Sequence, residues 1–91
     1  MIQTGNTIVY KHDDKDMGMM FYWLVDILPD AFVFFNWYGN PHNAQPSDFW
    51  RVSFDWFNQQ KEAGKIEVYE YLPLDKYGDI FERQARERNN K

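Results

Sequence analysis

One cluster in the sequence combines side chains of the kind that bind metal ions. His12 is followed closely by Asp13, Asp14 and Asp16. A calcium-binding loop of this kind would continue with a further oxygen ligand and, at a fixed distance, a glutamate. Gly18 stands where that next ligand should be. The spacing therefore predicts an acidic turn in contact with water, and we expect neither a metal nor a cofactor.

The other histidine, His42, lies in a segment dense in turn-forming residues, 39–46. Loops often carry catalytic residues, and histidine titrates near neutral pH. However, the chain has no cysteine, and the nearest serine, Ser47, is better explained as a helix cap. The sequence therefore favours a surface role for His42, and no residue is predicted to be catalytic. A small enzyme that uses His42 with a carboxylate stays open as an alternative.

Aromatic residues are the distinctive part of the composition, at 20% of the 91 residues. Each buries about 150–250 Å² when fully packed. A chain of this length forms one domain with one small core, which does not need that many rings. We therefore expect some aromatic side chains at the surface or in an interface. The single domain would span residues 1–91, with a loose start at 1–6 and a frayed basic tail at 86–91.

Charge and hydropathy exclude several classes of partner. The net charge of −4 disfavours duplex nucleic acid and anionic membranes, which both require a basic surface. The most apolar run, residues 17–28, is too short to span a bilayer and contains Asp26. The first ten residues lack the pattern of a secretory signal. These features predict a soluble, cytoplasmic protein with no membrane association.

The segment around which the chain is organised is an aromatic hairpin over residues 19–38. Pro29 and Asp30 have turn chemistry and separate two runs of aromatic and β-branched residues. These runs predict strands at 19–27 and 32–38. A helix over 17–28, capped by Asp16, is the alternative, but the composition favours a strand. Both faces of 19–27 are apolar, which is typical of a central strand that is covered on two sides, or on one side by a partner.

The remaining elements complete an α+β domain. Residues 7–11 predict a short strand, and 66–72 predict an edge strand because glutamates occupy both of its faces. Ser47 or Asp48 would begin a helix over 48–63 that ends before Gly64. Its apolar residues cover about 200° of the helix, wider than the usual stripe of roughly 100°. A last helix is predicted over 75–88. The sequence therefore predicts an antiparallel sheet of about four strands with two helices packed on it.

This pattern favours a non-enzymatic protein that docks through aromatic surface, either to another protein or to itself as a homodimer. Two features support this hypothesis: the hairpin with two apolar faces and the wide apolar stripe of the helix. Together they present more apolar surface than one small domain can bury. The residues predicted to form the interface are Tyr22, Trp37, Tyr38, Trp50 and Phe54. The size, the acidity and the lack of motifs are also typical of small inhibitor proteins encoded by phages or mobile elements.

A second hypothesis uses the same rings to bind single-stranded nucleic acid. Exposed aromatic rings on a sheet can stack on unpaired bases, and Arg51, Lys61 and Lys65 would contact the phosphates. Proteins of this class add a cationic groove. The hairpin carries no lysine or arginine between Lys15 and Arg51, so this hypothesis ranks second.

Overall fold

Five strands and two helices form the part of the chain that the computed structural model describes, residues 2–12 and 18–89, with backbone only at 88 and 89. The strands are β1 (Thr7–Lys11), β2 (Met19–Ile27), β3 (Ala31–Asn36), β4 (Phe49–Ser53) and β5 (Ile66–Tyr69). The helices are α1 (Phe54–Glu62) and α2 (Leu74–Asn89). Two short 3-10 turns, Pro41–Asn43 and Pro46–Asp48, lie between β3 and β4.

The strands form a single antiparallel sheet in the order β4-β3-β2-β1-β5. This confirms the α+β class, and over residues 19–27 it resolves the alternative between strand and helix in favour of a strand. β2 is the central strand, as its two apolar faces predicted, and β5 lies at one edge. The other edge is β4, a strand that the sequence did not predict.

The two faces of the sheet are covered by different helices. Neighbours along a strand, such as Ile8 and Val9, point to opposite faces, and both are fully buried. One face packs against Phe57 of α1, and the other packs against Tyr77 and Phe81 of α2. The sheet is therefore the middle of three layers. This arrangement explains why β2 has no hydrophilic face.

The predicted helix over 48–63 is wrong in its first part, because Phe49–Ser53 is strand β4. Val52 is buried while its neighbours Arg51 and Ser53 are exposed, which is the alternation of a strand at the edge of a sheet. The helix begins only after Ser53, whose Oγ accepts a hydrogen bond from the Trp56 N–H at 3.1 Å. The apolar stripe of the predicted helix is unusually wide because its first residues, 49–53, belong to a strand and not to the helix.

Three other predicted bounds differ in detail. The strand predicted at 32–38 is β3, Ala31–Asn36, because a turn follows in which the Asn36 side chain accepts from the Tyr38 N–H. The strand predicted at 66–72 ends at Tyr69, and the helix predicted at 75–88 runs from Leu74 to Asn89. The strands predicted at 7–11 and 19–27 have the bounds observed for β1 and β2.

Backbone hydrogen bonds join the segment before β1 to the central strand. The Gly5 N–H donates to the Leu24 carbonyl at 2.8 Å, and the Leu24 N–H donates to the Asn6 carbonyl at 2.9 Å. The Asn6 side chain is buried and accepts from the Gln3 N–H. The first described residues are thus part of the packed domain.

Candidate interaction surface

The structure places three of the five predicted interface residues on the face covered by α1. Tyr22 is only 8% exposed and packs between Phe34 and Trp50. Trp50 is half-buried, and Phe54 packs edge-on against Phe32 at a centroid distance of 4.7 Å. These rings belong largely to the core on this side, and their role in an interface stays a prediction.

The other two predicted residues lie on the face covered by α2. Trp37 is half-buried between Trp23 and Phe81. The Tyr38 hydroxyl donates a hydrogen bond to Gln84 Oε1 in α2 at 2.8 Å. The five residues therefore do not form one surface, because the sheet separates them into two groups.

A continuous line of five rings crosses the α2 side of the sheet, and we call it the aromatic row. From α2 to the edge strand its members are Phe81, Trp37, Trp23, Phe35 and Phe49. The successive centroid distances are 5.6, 4.4, 6.4 and 5.1 Å. Such distances are typical of favourable aromatic pairs. The row runs from α2, which covers this face of the sheet, to the edge strand β4.

The register of the paired strands brings the rings of the aromatic row together. Trp23 lies directly opposite Phe35 across β2 and β3, and Phe35 lies opposite Phe49 across β3 and β4. Side chains at directly opposed positions share a face and touch. The Phe35 ring is almost fully buried, with the backbone of Gly39 folded closely over it. Burial decreases from there to the edge strand.

The outer end of the row is exposed. Phe49 is 46% exposed although it is a large apolar side chain on an edge strand. Two residues further along β4, on the same face, Arg51 pairs with Asp30 at 3.0 Å. Both members of this ion pair are largely exposed, so its contribution to stability is small. An exposed aromatic ring beside an arginine is typical of the centre of a protein interface.

A polar network occupies the opposite edge of the same face. The Glu67 carboxylate on β5 accepts hydrogen bonds from the hydroxyls of Tyr77 and Tyr69, the latter at 2.9 Å. It also accepts from Lys76 Nζ at 3.2 Å, and Lys11 Nζ lies 3.8 Å away. This network joins β5 to the start of α2. It also places charge along the β5 edge, which discourages pairing with another strand.

The network shifts the pKa values of two of its members in opposite directions. Burial raises the pKa of the Glu67 carboxyl, but the hydrogen bonds that it accepts outweigh burial and hold the pKa below its ordinary value. Burial also raises the pKa of Tyr77, and the hydrogen bond to Glu67 raises it further, to about 12. The folded protein therefore favours the charged carboxylate and the neutral phenol.

Replacing Glu67 with glutamine is expected to lower the free energy of unfolding by about 1 kcal/mol at neutral pH. The replacement should also weaken the pH dependence of this free energy in both the acidic and the alkaline range. A carboxyl with a lowered folded pKa stabilises the fold above its ordinary pKa of 4.5, and this contribution is lost as the pH falls through the folded pKa. A phenol with a raised folded pKa stabilises the fold below its ordinary pKa of 10.0 and loses this contribution as the pH rises to about 12.

Urea unfolding of wild type and of Glu67→Gln from about pH 3 to about pH 11 measures this difference in pH dependence. Glu70→Gln is the matched control, because Glu70 is exposed and follows β5. If the Glu67 and Glu70 variants gave the same pH profile, the network would not be the origin of the dependence.

The two histidines differ in their surroundings. His42 lies in the first 3-10 turn, where all residues are exposed, and its N–H donates to the Asn40 side chain at 2.9 Å. The His12 ring contacts Tyr10 at a centroid distance of 4.3 Å and lies nearly parallel to Trp50. Asp13, Asp14 and Asp16 fall outside the described residues. Among residues 2–12 and 18–89, no three potential ligands are grouped as a metal site would require.

The cations of the nucleic-acid hypothesis are not gathered beside the aromatic row. Arg51 lies next to Phe49 on β4, but its guanidinium is paired with Asp30. Lys61 is in α1 and Lys65 follows it, so both are associated with the helix on the opposite face. Of these three cations only Arg51 lies beside the row, so they do not form, within the described residues, the cationic groove that this class of protein uses.

Sequence reasoning missed Trp23, Phe35 and Phe49 as a group. The predicted helix over 48–63 includes Phe49 and leaves no outer strand on which the row could end. The alternation within F-W-R-V-S was the available signal, because a strand over 49–53 puts Phe49 and Arg51 on one face. The remaining contacts depend on strand register, which the sequence does not state.

Comparison with known proteins gives no relative. No protein-family model, no curated protein sequence and no solved structure matches the chain. In the part of the chain that the structure describes, the helices are too short or too polar to cross a membrane.

Proposed function

We propose that this chain is a non-enzymatic interaction protein of the inhibitor or regulatory type, acting in the cytoplasm. It docks onto another protein, or onto a second copy of itself, through the outer end of the aromatic row. The observation that carries the proposal is the exposure of Phe49, 46%, at the end of a continuous row of rings that reaches the free β4 edge. Binding at this position would bury apolar surface that the isolated chain leaves in water.

The neighbouring features support the same conclusion. Rows of packed rings are rigid, so little conformational entropy is lost when a partner covers their end. Arg51 lies beside Phe49 and could exchange its exposed contact with Asp30 for a carboxylate of the partner. The opposite edge, by contrast, carries the Glu67 network. The two edges are therefore unequal, and β4 is the one suited to docking.

The test is capture of a partner from the native host with tagged protein, with and without nuclease, using wild type and Phe49→Ser. We expect wild type to retain one stoichiometric protein after nuclease treatment, or to form a dimer by light scattering, and Phe49→Ser to lose it. Tyr71→Ser is the matched control, because Tyr71 is 60% exposed beyond β5. That variant should bind like wild type.

Three outcomes would overturn the proposal. Equal retention of the partner by wild type and Phe49→Ser would remove the aromatic row from the interface. Recovery of nuclease-sensitive material alone, weakened steeply by salt, would favour the single-strand nucleic-acid hypothesis. A monomeric protein that captures nothing would favour the alternative of a small enzyme that uses His42, to be tested by a screen of substrates.

A further inference from the structure

A pocket opens on the α1 side of the sheet next to the outer end of the aromatic row, and Phe49 is among its lining residues. Its volume is about 330 Å³, near the lower end of the range for small-molecule sites. Met20 and Tyr22 of β2 form one wall, Trp50 of β4 forms another, and the second 3-10 turn contributes Ser47 and Asp48. The described lining residues of the pocket include none from α1.

The walls of the pocket present aromatic faces. The Tyr22 and Trp50 rings pack at a centroid distance of 5.4 Å. The His12 ring, which also lines the pocket, lies within 15° of parallel to the Trp50 indole at 6.3 Å. Phe34 and Trp56 pack edge-on with Trp50, at centroid distances of 5.9 and 5.1 Å. The indole is therefore fixed in place before any ligand arrives.

The described lining of the pocket contains one carboxylate, Asp48, and one imidazole, His12. Lysine and arginine are absent from that described lining. Asp48 Oδ2 accepts the Gln45 N–H at 2.8 Å, which fixes the side chain in the 3-10 turn. The hydrogen bond from Gln45 engages Oδ2 and not Oδ1 of this carboxylate. One fixed carboxylate oxygen thus remains available to a ligand in a pocket walled by rings.

A larger depression of about 500 Å³ on α2 does not have these properties. It is lined by Asp79, Glu82, Arg83, Arg86 and Glu87. All of these side chains come from the exposed face of α2, and Arg86 pairs with Glu82 at 3.2 Å. It is a gap between solvated side chains and has no wall from the sheet.

We propose that the 330 Å³ pocket binds a methylated ammonium group, with its positive charge against the Trp50 ring and beside Asp48 Oδ1. Aromatic faces attract cations, most strongly when the cation gives up little hydration. A guanidinium or an unmethylated ammonium would need several acceptors to replace its water. One carboxylate with aromatic walls matches a cation whose methyl groups donate no strong hydrogen bonds.

The test uses choline as the probe and 3,3-dimethylbutan-1-ol, a neutral molecule of the same shape, as its control. We expect choline to shift the Trp50 indole N–H and the Met20 methyl signals in NMR spectra. The Trp50→Phe variant identifies the indole signal. The neutral molecule should bind about tenfold more weakly, because it lacks the cation–π and charge contributions.

Asp48→Asn removes the charge and keeps an oxygen that can accept the Gln45 N–H. We expect this variant to bind choline several-fold to about tenfold more weakly, and to bind the neutral molecule as wild type does. Asp55→Asn is the matched control, because Asp55 lies in the exposed first turn of α1. Equal affinity for the two probes, equal choline affinity of wild type and Asp48→Asn, or shifts elsewhere on the protein would each overturn the proposal.

A second experiment distinguishes whether the methylated ammonium group belongs to a modified protein tail or to a free small molecule. Peptides that contain lysine or trimethyllysine at one position are titrated under the same conditions. Tighter binding of the trimethyllysine peptide than of choline would assign the group to a modified protein tail, and equal binding would assign it to a free small molecule. Preference for the unmethylated lysine peptide would overturn the proposal. None of these measurements requires the protein partner of the proposed function, so the two proposals fail independently.

Discussion

Replacing Phe21 with alanine is expected to lower the free energy of unfolding by about 3–5 kcal/mol. Phe21 is fully buried in β2, and its ring packs on Phe81 at a centroid distance of 3.8 Å and on Tyr77 at 5.9 Å. The variant leaves a cavity under α2, which the sheet cannot fill by moving. Since a chain of this length has a total stability of about 5–14 kcal/mol, the loss is a large fraction of the whole.

Chemical denaturation followed by circular dichroism measures this loss, and hydrogen exchange locates it. We expect amide protons of α2 to lose protection first, because Phe21 is the principal side chain of the sheet beneath that helix. Phe49→Ala is the control, since Phe49 is 46% exposed and should cost about 1 kcal/mol or less. Similar losses in the two variants would mean that α2 is not held through Phe21.

Replacing Gly39 with alanine is expected to destabilise the fold by about 1–3 kcal/mol. A Cβ at this position would stand 2.7 Å from Phe35 Cε1 and 2.8 Å from its Cζ. The Phe35 ring is 4% exposed and packs between Trp23 and Phe49, so it has little room to move. The clash must therefore displace either the turn after β3 or the middle of the aromatic row.

Gly78→Ala is the matched control and should change stability in the opposite direction. Gly78 lies within α2, and a Cβ there would meet nothing within 4 Å. Alanine in a helix is favoured over glycine by about 1 kcal/mol. Thermal unfolding of the two variants gives the comparison. Destabilisation by both would point to a general effect of glycine replacement, and our assignment of the Phe35 contact would be wrong.

The sequence predicted most of the sheet but not its outer strand. β1 and β2 were predicted correctly because aromatic and β-branched residues are concentrated there, and because turn chemistry at Pro29 marks the end of β2. β4 was missed because Ser47 and Asp48 are good helix caps followed by apolar residues. Both residues lie within a single 3-10 turn whose N-cap is Gln45, and the helix is capped instead by Ser53.

The candidate surface was less predictable than the fold. Composition correctly indicated that some rings would be exposed, and Phe49 is exposed. Which rings share a face depends on the register of three strands and on the bounds of β4. Trp50 was chosen without knowledge of its strand, and the structure makes it both a core ring and the wall of a pocket. Local patterns carry no information about contacts of this kind, which join distant parts of the chain.

The strand order has a consequence for the chain as it leaves the ribosome. β1 lies between β2 and β5, and β5 is the last strand to be synthesised. The meander of β1, β2 and β3 can pair as soon as it emerges, but one side of β1 then lacks a hydrogen-bonding partner until Ile66–Tyr69 follows. During that interval the nascent chain presents an apolar edge of the kind that chaperones recognise and that other chains can pair with.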